Sequence, residues 1–472
     1  MTSKANRIEE VYIPQERRER NPLITPAGYL RLKSLLEHPA APLWNYQVGD
    51  RVRAEDLGVV ESLRSELRAK RKGGLGKPPE EILEWIKNMR PVVPLFQRLL
   101  PEGSNLERDW AYLPTMSRAD IAVRPEEIVP VNADLSRLIV YDTSGVTGHA
   151  IQVPHHPRAM AQNHPLMEYV LEQFNARSKF SADDVACINV GAQLNTVTFA
   201  NVFSVWNQAG FAKVNLHPRT WQPHKARRFF KEQAPVFLTG DPIGFVEMIK
   251  WEIEVSPQAM LSTAVDLSPA LKSRLEAHYR CPVIDTYATT ETGPVAYSNP
   301  EHMGMNILPN DIYVEIIDAQ GHPLPEGEHG EICITGGRNP YMPLLRYRTG
   351  DYGKLVWSTI LKSDCTPRIC DLEAREAVSF AAEDGTIISP VDVGRVIRAW
   401  AFVQHEFIQR SNRSIEMTIR PAFGCRIDAE AICEALHDLF GRSLSIAVRL
   451  DERLGEDRPG AKVVPFRSEL GL

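Results

Sequence analysis

Four short segments carry residues of the kind that handle phosphates. The first, Asp142-Thr-Ser-Gly-Val-Thr-Gly148, mixes hydroxyls with glycine. Glycine lets a backbone approach an anion closely, and backbone N–H groups with Thr and Ser hydroxyls can cradle phosphates. It is not a Walker loop, because Gly-x-x-x-x-Gly-Lys is absent. The second, Asp285-Thr-Tyr-Ala-Thr-Thr-Glu291, offers an aromatic that can stack on a base, threonines for a phosphate oxygen, and a carboxylate of the hard-oxygen type that Mg²⁺ prefers. The third, Tyr347-Arg-Thr-Gly-Asp351, ends in a carboxylate suited to a ribose diol, and the fourth, Pro459-Gly-Ala-Lys462, supplies a lysine. Taken singly they also read as a polar turn, a strand end with a surface Glu, a β-turn with Gly at an unusual angle and a solvated tail lysine. Taken together, in this order, they describe a site that holds a nucleoside triphosphate and activates a carboxylate with it.

The surrounding pattern predicts what must position them. From about 131 to 290 short apolar runs alternate with helical segments. Leu138–Tyr141, Val185–Val190, Ala212–Leu216, Val236–Leu238 and Pro282–Asp285 read as buried strands. Ser268-Pro269 is a cap followed by proline at the first helical position, with Leu271, Leu275 and Tyr279 recurring on one face. Such alternation predicts an α/β fold with a mostly parallel sheet covered by helices, whose ligands sit beyond the carboxyl ends of the strands. The first two motifs follow predicted strands. From about 310 to 360, Ile312–Ile317, the turn Asp318–Gly321 and Gly330–Thr335 read as antiparallel β-structure. A boundary near Asp371–Glu376 precedes a unit of helix, strand, strand, helix and strand, which suits a small α+β domain. The expected division is residues 1–372 and 373–472. Residues 1–130 are the least legible part, with helical patterns at Ala27–Glu37 and Pro79–Met89.

Length and composition bound the function classes. The chain has 472 residues, so two domains are expected. A net charge of −6 gives no reason to expect nucleic acid, and the basic run Arg68–Lys72 reads as a solvated face. No stretch approaches the roughly 18 apolar residues of a membrane span, and the first ten residues lack the apolar core of a signal peptide. The seven cysteines are scattered, as in reduced cytosolic proteins. Cys365 and Cys370 have no second pair to complete a zinc site. A cytoplasmic protein without membrane or nucleic-acid partners is expected, monomeric or homodimeric.

The motifs, in this order and spacing, resemble the adenylate-forming superfamily of acyl-CoA synthetases, adenylation domains and luciferase, and most closely its phenylacetate–CoA ligase type. Pro325-Glu-Gly-Glu-His-Gly-Glu-Ile332 looks like that family's Gly-Glu-x-Gly-Glu hairpin, and Ile388-Ser-Pro-Val-Asp-Val393 resembles the start of its mobile C-terminal domain. The resemblance runs from about residue 130 to the end. It implies that Thr143, Ser144, Gly145, Thr147 and Gly148 cover the β- and γ-phosphates, and that Asp285, Thr286 and Tyr287 border the adenine. It implies that Thr290 contacts the α-phosphate, Glu291 holds Mg²⁺ and Asp351 binds the ribose. Arg375 matches the arginine at the domain junction and Lys462 the catalytic lysine. Ala264 lies in the strand end beside the adenine. Asn195–Phe203 corresponds to a helix lining the acyl pocket, with Phe199 and Phe203 suggesting an aryl or apolar acid; a packed core helix is an equally good reading of that segment.

The implied reaction is activation of a carboxylic acid with ATP and Mg²⁺, then transfer to the thiol of coenzyme A. A separate carrier protein or an amine is an alternative acceptor, and a nucleotide-binding homologue without turnover is an alternative of another class. The departures from the family pattern bear on that choice. His149-Ala150 stands where the loop usually continues Lys-Pro, Val146 replaces its central Thr, and Ala288 replaces a Gly. Ala377 and Val378 fall where an acidic hinge pair is usual, with Glu373 and Glu376 nearby.

Overall fold

The computed structural model describes residues 11–68, 78–142, 151–300, 303–309, 312–357, 367–374 and 378–471. β1 (Ile139–Asp142) and β2 (Gln152–His155) pair antiparallel in a sheet of their own. β3 (Val185–Gly191), β4 (Phe199–Phe203), β5 (Ala209–Asn215), β6 (Phe237–Gly240), β7 (Met260–Ser262) and β8 (Val283–Thr289) form half of a twelve-stranded sheet. In that half β5, β3, β6, β7 and β8 run parallel in this spatial order, and β4 closes the edge antiparallel to β5. Its strands are apolar on both faces because helices cover both, as parallel sheets require. Leu238, Met260 and Val283 face the helices Pro223–Gln233, Pro242–Lys250 and Pro269–Tyr279. Their neighbours Phe237, Leu261 and Ile284 face the helices Ala54–Arg68 and Pro157–Gln173. Ser268 caps its helix as its sequence predicts, accepting from Leu271 N at 3.2 Å, and Leu271, Leu275 and Tyr279 are buried.

The other half of the sheet is antiparallel. β9 (Gly293–Ser298), β10 (Met305–Ile307), β11 (Ile312–Ile317), β12 (His329–Gly336), β13 (Leu344–Trp357) and β14 (Pro367–Ala374) continue from β8 in the order β8, β9, β10, β14, β13, β12, β11. Laid flat, β8 and β13 would be four strand spacings apart, about 19 Å. Yet the Tyr287 hydroxyl on β8 donates to Asp351 Oδ2 on β13 at 2.8 Å. This half is therefore curled, and Val295, Ile307, Val314, Ile316, Ile332, Ile334 and Ile369 pack as one cluster within it.

Residues before 130 fasten to this curled half. Arg346, fully buried, pairs with buried Glu315 at 2.9 Å and donates to the carbonyls of Leu113 and Gly321. Trp110 Nε1 donates to the same carboxylate at 3.0 Å, and its ring lies 5.6 Å from the Arg346 guanidinium.

β15 (Phe380–Ala381) and β16 (Ile387–Ile388) precede a four-stranded sheet of β17 (Phe402–Gln409), β18 (Ile415–Pro421), β19 (Ile446–Leu450) and β20 (Phe466–Ser468), ordered β19, β18, β17, β20. Helices Pro390–Ile397 and Ala429–Phe440 pack on it through Val393, Ile397, Leu436 and Phe440. This unit meets the parallel sheet's helices through a narrow contact. Val403, Ala422 and Ala461 enter the cluster that contains Leu267 and Leu271. Ser268 Oγ donates to Trp400 O at 3.2 Å, and Arg274 donates to Phe423 O.

Two sequence expectations are corrected. Leu138–Tyr141 is not a buried strand of the main sheet, because β1 pairs with β2 and leaves Val140 and Tyr141 exposed. Asn195–Phe203 is not a helix. Phe199–Phe203 is edge strand β4, consistent with its β-branched and aromatic content.

Candidate functional site

Gly240 at the end of β6, Ser262 at the end of β7 and Asp285 within β8 lie side by side, and β8 runs on past them to Thr289. Asp241 follows β6, Ala264 follows β7, and Thr290 and Glu291 follow β8. Adjacent strands are about 4.8 Å apart, so Gly240 at the end of β6 and Asp285 within β8 are about 10 Å apart. Thr286 Oγ1 donates to Ser262 O at 2.7 Å and ties β8 to the end of β7. Ala264 is exposed there in a left-handed conformation, φ 73°.

The turn between β8 and β9 is fixed from several sides. Arg338 Nη1 donates to the carbonyls of Thr292 at 3.0 Å and Pro294 at 2.9 Å. Thr292 N donates to Thr289 Oγ1 at 3.1 Å. Gly293 has φ 69°, and a Cβ there would come within 2.9 Å of Asn163 Oδ1. This leaves Thr290 exposed at the tip and turns Glu291 inward to 6% exposure. Glu291 Oε1 accepts from the Tyr347 hydroxyl at 3.1 Å and pairs with Arg118 at 3.4 Å. Burial, with the Glu291 charge beside it, holds the Tyr347 hydroxyl well above its usual pKa, so it stays a donor.

The same holds for Tyr287, buried and beside the Asp351 charge. Its hydroxyl is therefore a fixed donor to Asp351, which also accepts a backbone constraint through Asp351 N donating to Thr349 Oγ1 at 3.1 Å. Tyr287→Phe should lower stability by about 1.5–3 kcal/mol, the range for a hydrogen bond to a charged group. Denaturant midpoints of the two proteins measure this. Asp285, at the middle of β8, is pushed up to about 7 by burial and by the like charge of Asp266.

Lys462 reaches the carboxyl edge from the C-terminal unit. Gln404 on β17 clamps its neighbours, donating to Ala461 O at 3.1 Å and accepting from Val463 N at 3.3 Å. Gly455 makes room for that clamp: its φ is 85°, and a Cβ would meet Gln404 Nε2 at 2.4 Å. Burial raises the pKa of Asp241, and Gly244 N at 2.7 Å together with the charge of Lys462 opposes that rise. The lysine thus faces the end of β6.

The sequence candidates divide into three groups. Asp285, Thr286, Tyr287, Thr290 and Glu291 lie along β8 and the turn after it, Asp351 meets Tyr287 from β13, Ala264 follows the adjoining β7, and Lys462 comes from the C-terminal unit opposite the end of β6. Phe199 and Phe203 do not join them. β4 is five spacings from β8, roughly 24 Å, and Phe203, opposite Ala209, lies at the far end of the parallel strands. There it packs at 5.6 Å from Trp206 and 5.2 Å from Phe211, as a core residue. Thr143, Ser144, Gly145, Thr147, Gly148 and Arg375 lie outside the described residues, as do Val146, His149, Cys365 and Ala377. Arg118, Arg338, Asn339 and His155 were not singled out by sequence.

Glu291 fits a magnesium ligand of the expected kind. Both of its contacts fall on Oε1, and Mg²⁺ typically takes one or two carboxylates with substrate phosphates and water.

Comparison with known proteins bears on the family and the fold. The profile of the family described as AMP-binding enzyme matches residues 81–339, more than half of the chain. A segment of 93 residues is 37% identical to the acetyl-coenzyme A synthetase of Wolinella succinogenes, covering 18% of this chain and 14% of that protein. Another of 94 residues is 34% identical to the phenylacetate-coenzyme A ligase of Escherichia coli K12, covering 19% of this chain and 22% of that one. The matched segments thus span less than a quarter of these relatives. In overall shape the chain is similar to 2-hydroxyisobutyryl-CoA ligase in its postadenylation state, with a TM-score of 0.59 at 14% identity over 88% of this chain and 90% of that one. That likeness speaks for the fold, whereas the profile match settles the family: this chain belongs to the AMP-binding enzymes.

Proposed function

We propose that the chain activates a carboxylic acid with ATP and transfers the acyl group to the thiol of coenzyme A. The observation that carries this reading is the Tyr287–Asp351 hydrogen bond. It joins the candidate adenine-side aromatic to the candidate ribose carboxylate, at the strand ends where α/β sheets hold ligands. In the first step a carboxylate oxygen attacks the α-phosphorus, the bond to the bridging oxygen breaks, and pyrophosphate leaves. In the second the thiolate sulfur attacks the acyl carbonyl, and AMP departs with the electrons of the C–O bond.

Such transfers are accelerated mainly by positioning and by fixed charge aimed at the developing anion. Asp351 accepts from the ribose hydroxyls while Tyr287 holds its orientation. Thr290, exposed at the turn, offers its hydroxyl to the α-phosphate. Glu291, positioned by Tyr347 and Arg118, would hold Mg²⁺, which would neutralise phosphate charge. Lys462 brings positive charge to the α-phosphate and the incoming carboxylate. The motif loop Thr143–Gly148 covers the distal phosphates, and Arg375 serves the junction ahead of the C-terminal unit, which changes position between the two steps. Phe199 and Phe203 are no part of the acyl pocket in this proposal, and Ala264 lines its rim.

No helix among the described residues is long and apolar enough to cross a membrane. The six described cysteines are unpaired thiols, which supports a reducing, cytoplasmic setting.

The test is pyrophosphate release with ATP and Mg²⁺ over a panel of aryl and short acyl carboxylates, with and without coenzyme A. Release accelerated by coenzyme A, with AMP and a thioester as products, is expected and names the acid. Release without thioester assigns another acceptor. Silence across the panel with intact ATP binding overturns the proposal in favour of a binding protein.

A further inference from the structure

His155, the last residue of β2, is 7% exposed and lies against the backbone of Thr290. Its neighbours decide where its proton sits. Asn339 Oδ1 accepts from the backbone N–H of His156 at 3.3 Å and of Tyr341 at 3.2 Å. The Asn339 amide nitrogen is therefore the atom at 2.7 Å from Pro154 O and 3.3 Å from His155 Nδ1. An amide NH₂ only donates, so Nδ1 accepts. Burial pushes the imidazole pKa down to about 4, against a weaker opposing effect of the Thr290 backbone, and the ring is neutral at pH 7. A neutral imidazole that accepts at Nδ1 carries its proton at Nε2.

That Nε2 is buried and makes no hydrogen bond of good geometry among the described residues. Tyr141 packs edge-on at 5.1 Å and keeps the ring from turning away. A buried donor left with only a poorly aligned interaction with the Thr290 backbone is under-satisfied, which is costly. Here it is held from three sides: Nδ1 by Asn339, the ring by Tyr141, and the chain by pairing with β1.

We infer that His155 is a further nucleotide-binding residue, whose Nε2–H donates to an anionic phosphate oxygen beside Thr290. The assignment rests on the adenylation reading and deepens it. A neutral donor is suited to this position. It stabilises phosphate by a directed hydrogen bond without the desolvation penalty of a buried cation.

The experiment measures AMP and adenosine binding by calorimetry in the wild type, His155→Leu and His155→Gln. His155→Leu is expected to lose about ten- to a hundredfold in AMP affinity, as for one hydrogen bond to a charged group, with adenosine unchanged within twofold. His155→Gln, whose amide nitrogen can reach the Nε2 position, is expected to recover most of the AMP affinity. In the wild type, the ¹⁵N signal of the protonated Nε2 should shift with AMP and not with adenosine, a readout independent of whether a variant folds. An unchanged AMP-to-adenosine ratio in His155→Leu, or an equal loss of both ligands, overturns the assignment, as does an Nε2 signal indifferent to AMP. A wild type that binds no AMP removes the adenylation reading itself, whereas AMP binding that ignores His155 removes only this residue.

Discussion

Lys462→Ala is expected to lower pyrophosphate release by about 10²–10³-fold, the usual loss when one preorganised charge contact to a developing anion is removed. ATP binding should change little, because in the proposed site the ribose and base are held by Asp351 and Tyr287, outside the C-terminal unit. The structural basis is the rigidity of the lysine's attachment. Gln404 holds the backbone on both sides of it, and Gly455 leaves space for that side chain. A charge so held pays little reorganisation when the reaction begins. Lys462→Arg keeps the charge but spreads it over a larger planar group, so partial activity is expected. Turnover equal to the wild type in Lys462→Ala would remove the lysine from the mechanism.

Glu315→Ala is expected to destabilise the protein by about 3–5 kcal/mol, read from the denaturant midpoint. Removing one member of a buried ion pair leaves the other charge uncompensated in a medium that cannot solvate it. Arg346 is fully buried, and Trp110 Nε1 would lose its acceptor in the same change. The double variant Glu315→Leu, Arg346→Met should recover part of the loss, because the pair as a whole gains little over apolar packing. Recovery stays incomplete, since the Leu113 and Gly321 carbonyls lose their donor. A loss below about 1 kcal/mol in the single variant would show that water reaches Arg346.

The parallel half of the sheet was legible because its strands are unbroken apolar runs bounded by helix caps, as at Val185–Val190 and Ser268-Pro269. In the C-terminal unit the helix, strand, strand, helix, strand order appears as read, with the β15–β16 pair and Phe466–Ser468 added. β4 was misread because resemblance to a pocket helix outweighed the strand-forming content of Thr198–Phe203. The separate pairing of β1 was hidden because a short apolar run does not say which sheet it joins. Among the candidate residues that the structure brings together, the segment Asp285–Glu291 was readable from residue type and order, and Asp351 from its motif. Arg118 was not. Its partner Glu291 lies 173 positions away, and no periodicity in residues 1–130 points to that contact. His155 likewise acquires its meaning only from Asn339, 184 positions later, which fixes its tautomer.

The narrow contact between the C-terminal unit and the helices beside it has an energetic consequence. Val403, Ala422 and Ala461 are the fully buried apolar side chains it contributes to the neighbouring core. At roughly 25 cal/mol per Å² of apolar area, burial of three such small groups contributes about 3–5 kcal/mol. Driving a two-state equilibrium from 1:99 to 99:1 takes about 5.5 kcal/mol. The two energies are of one size, so a ligand that prefers a different placement of this unit by a few hydrogen bonds would be sufficient to reverse the populations, with these three side chains withdrawn from the neighbouring core.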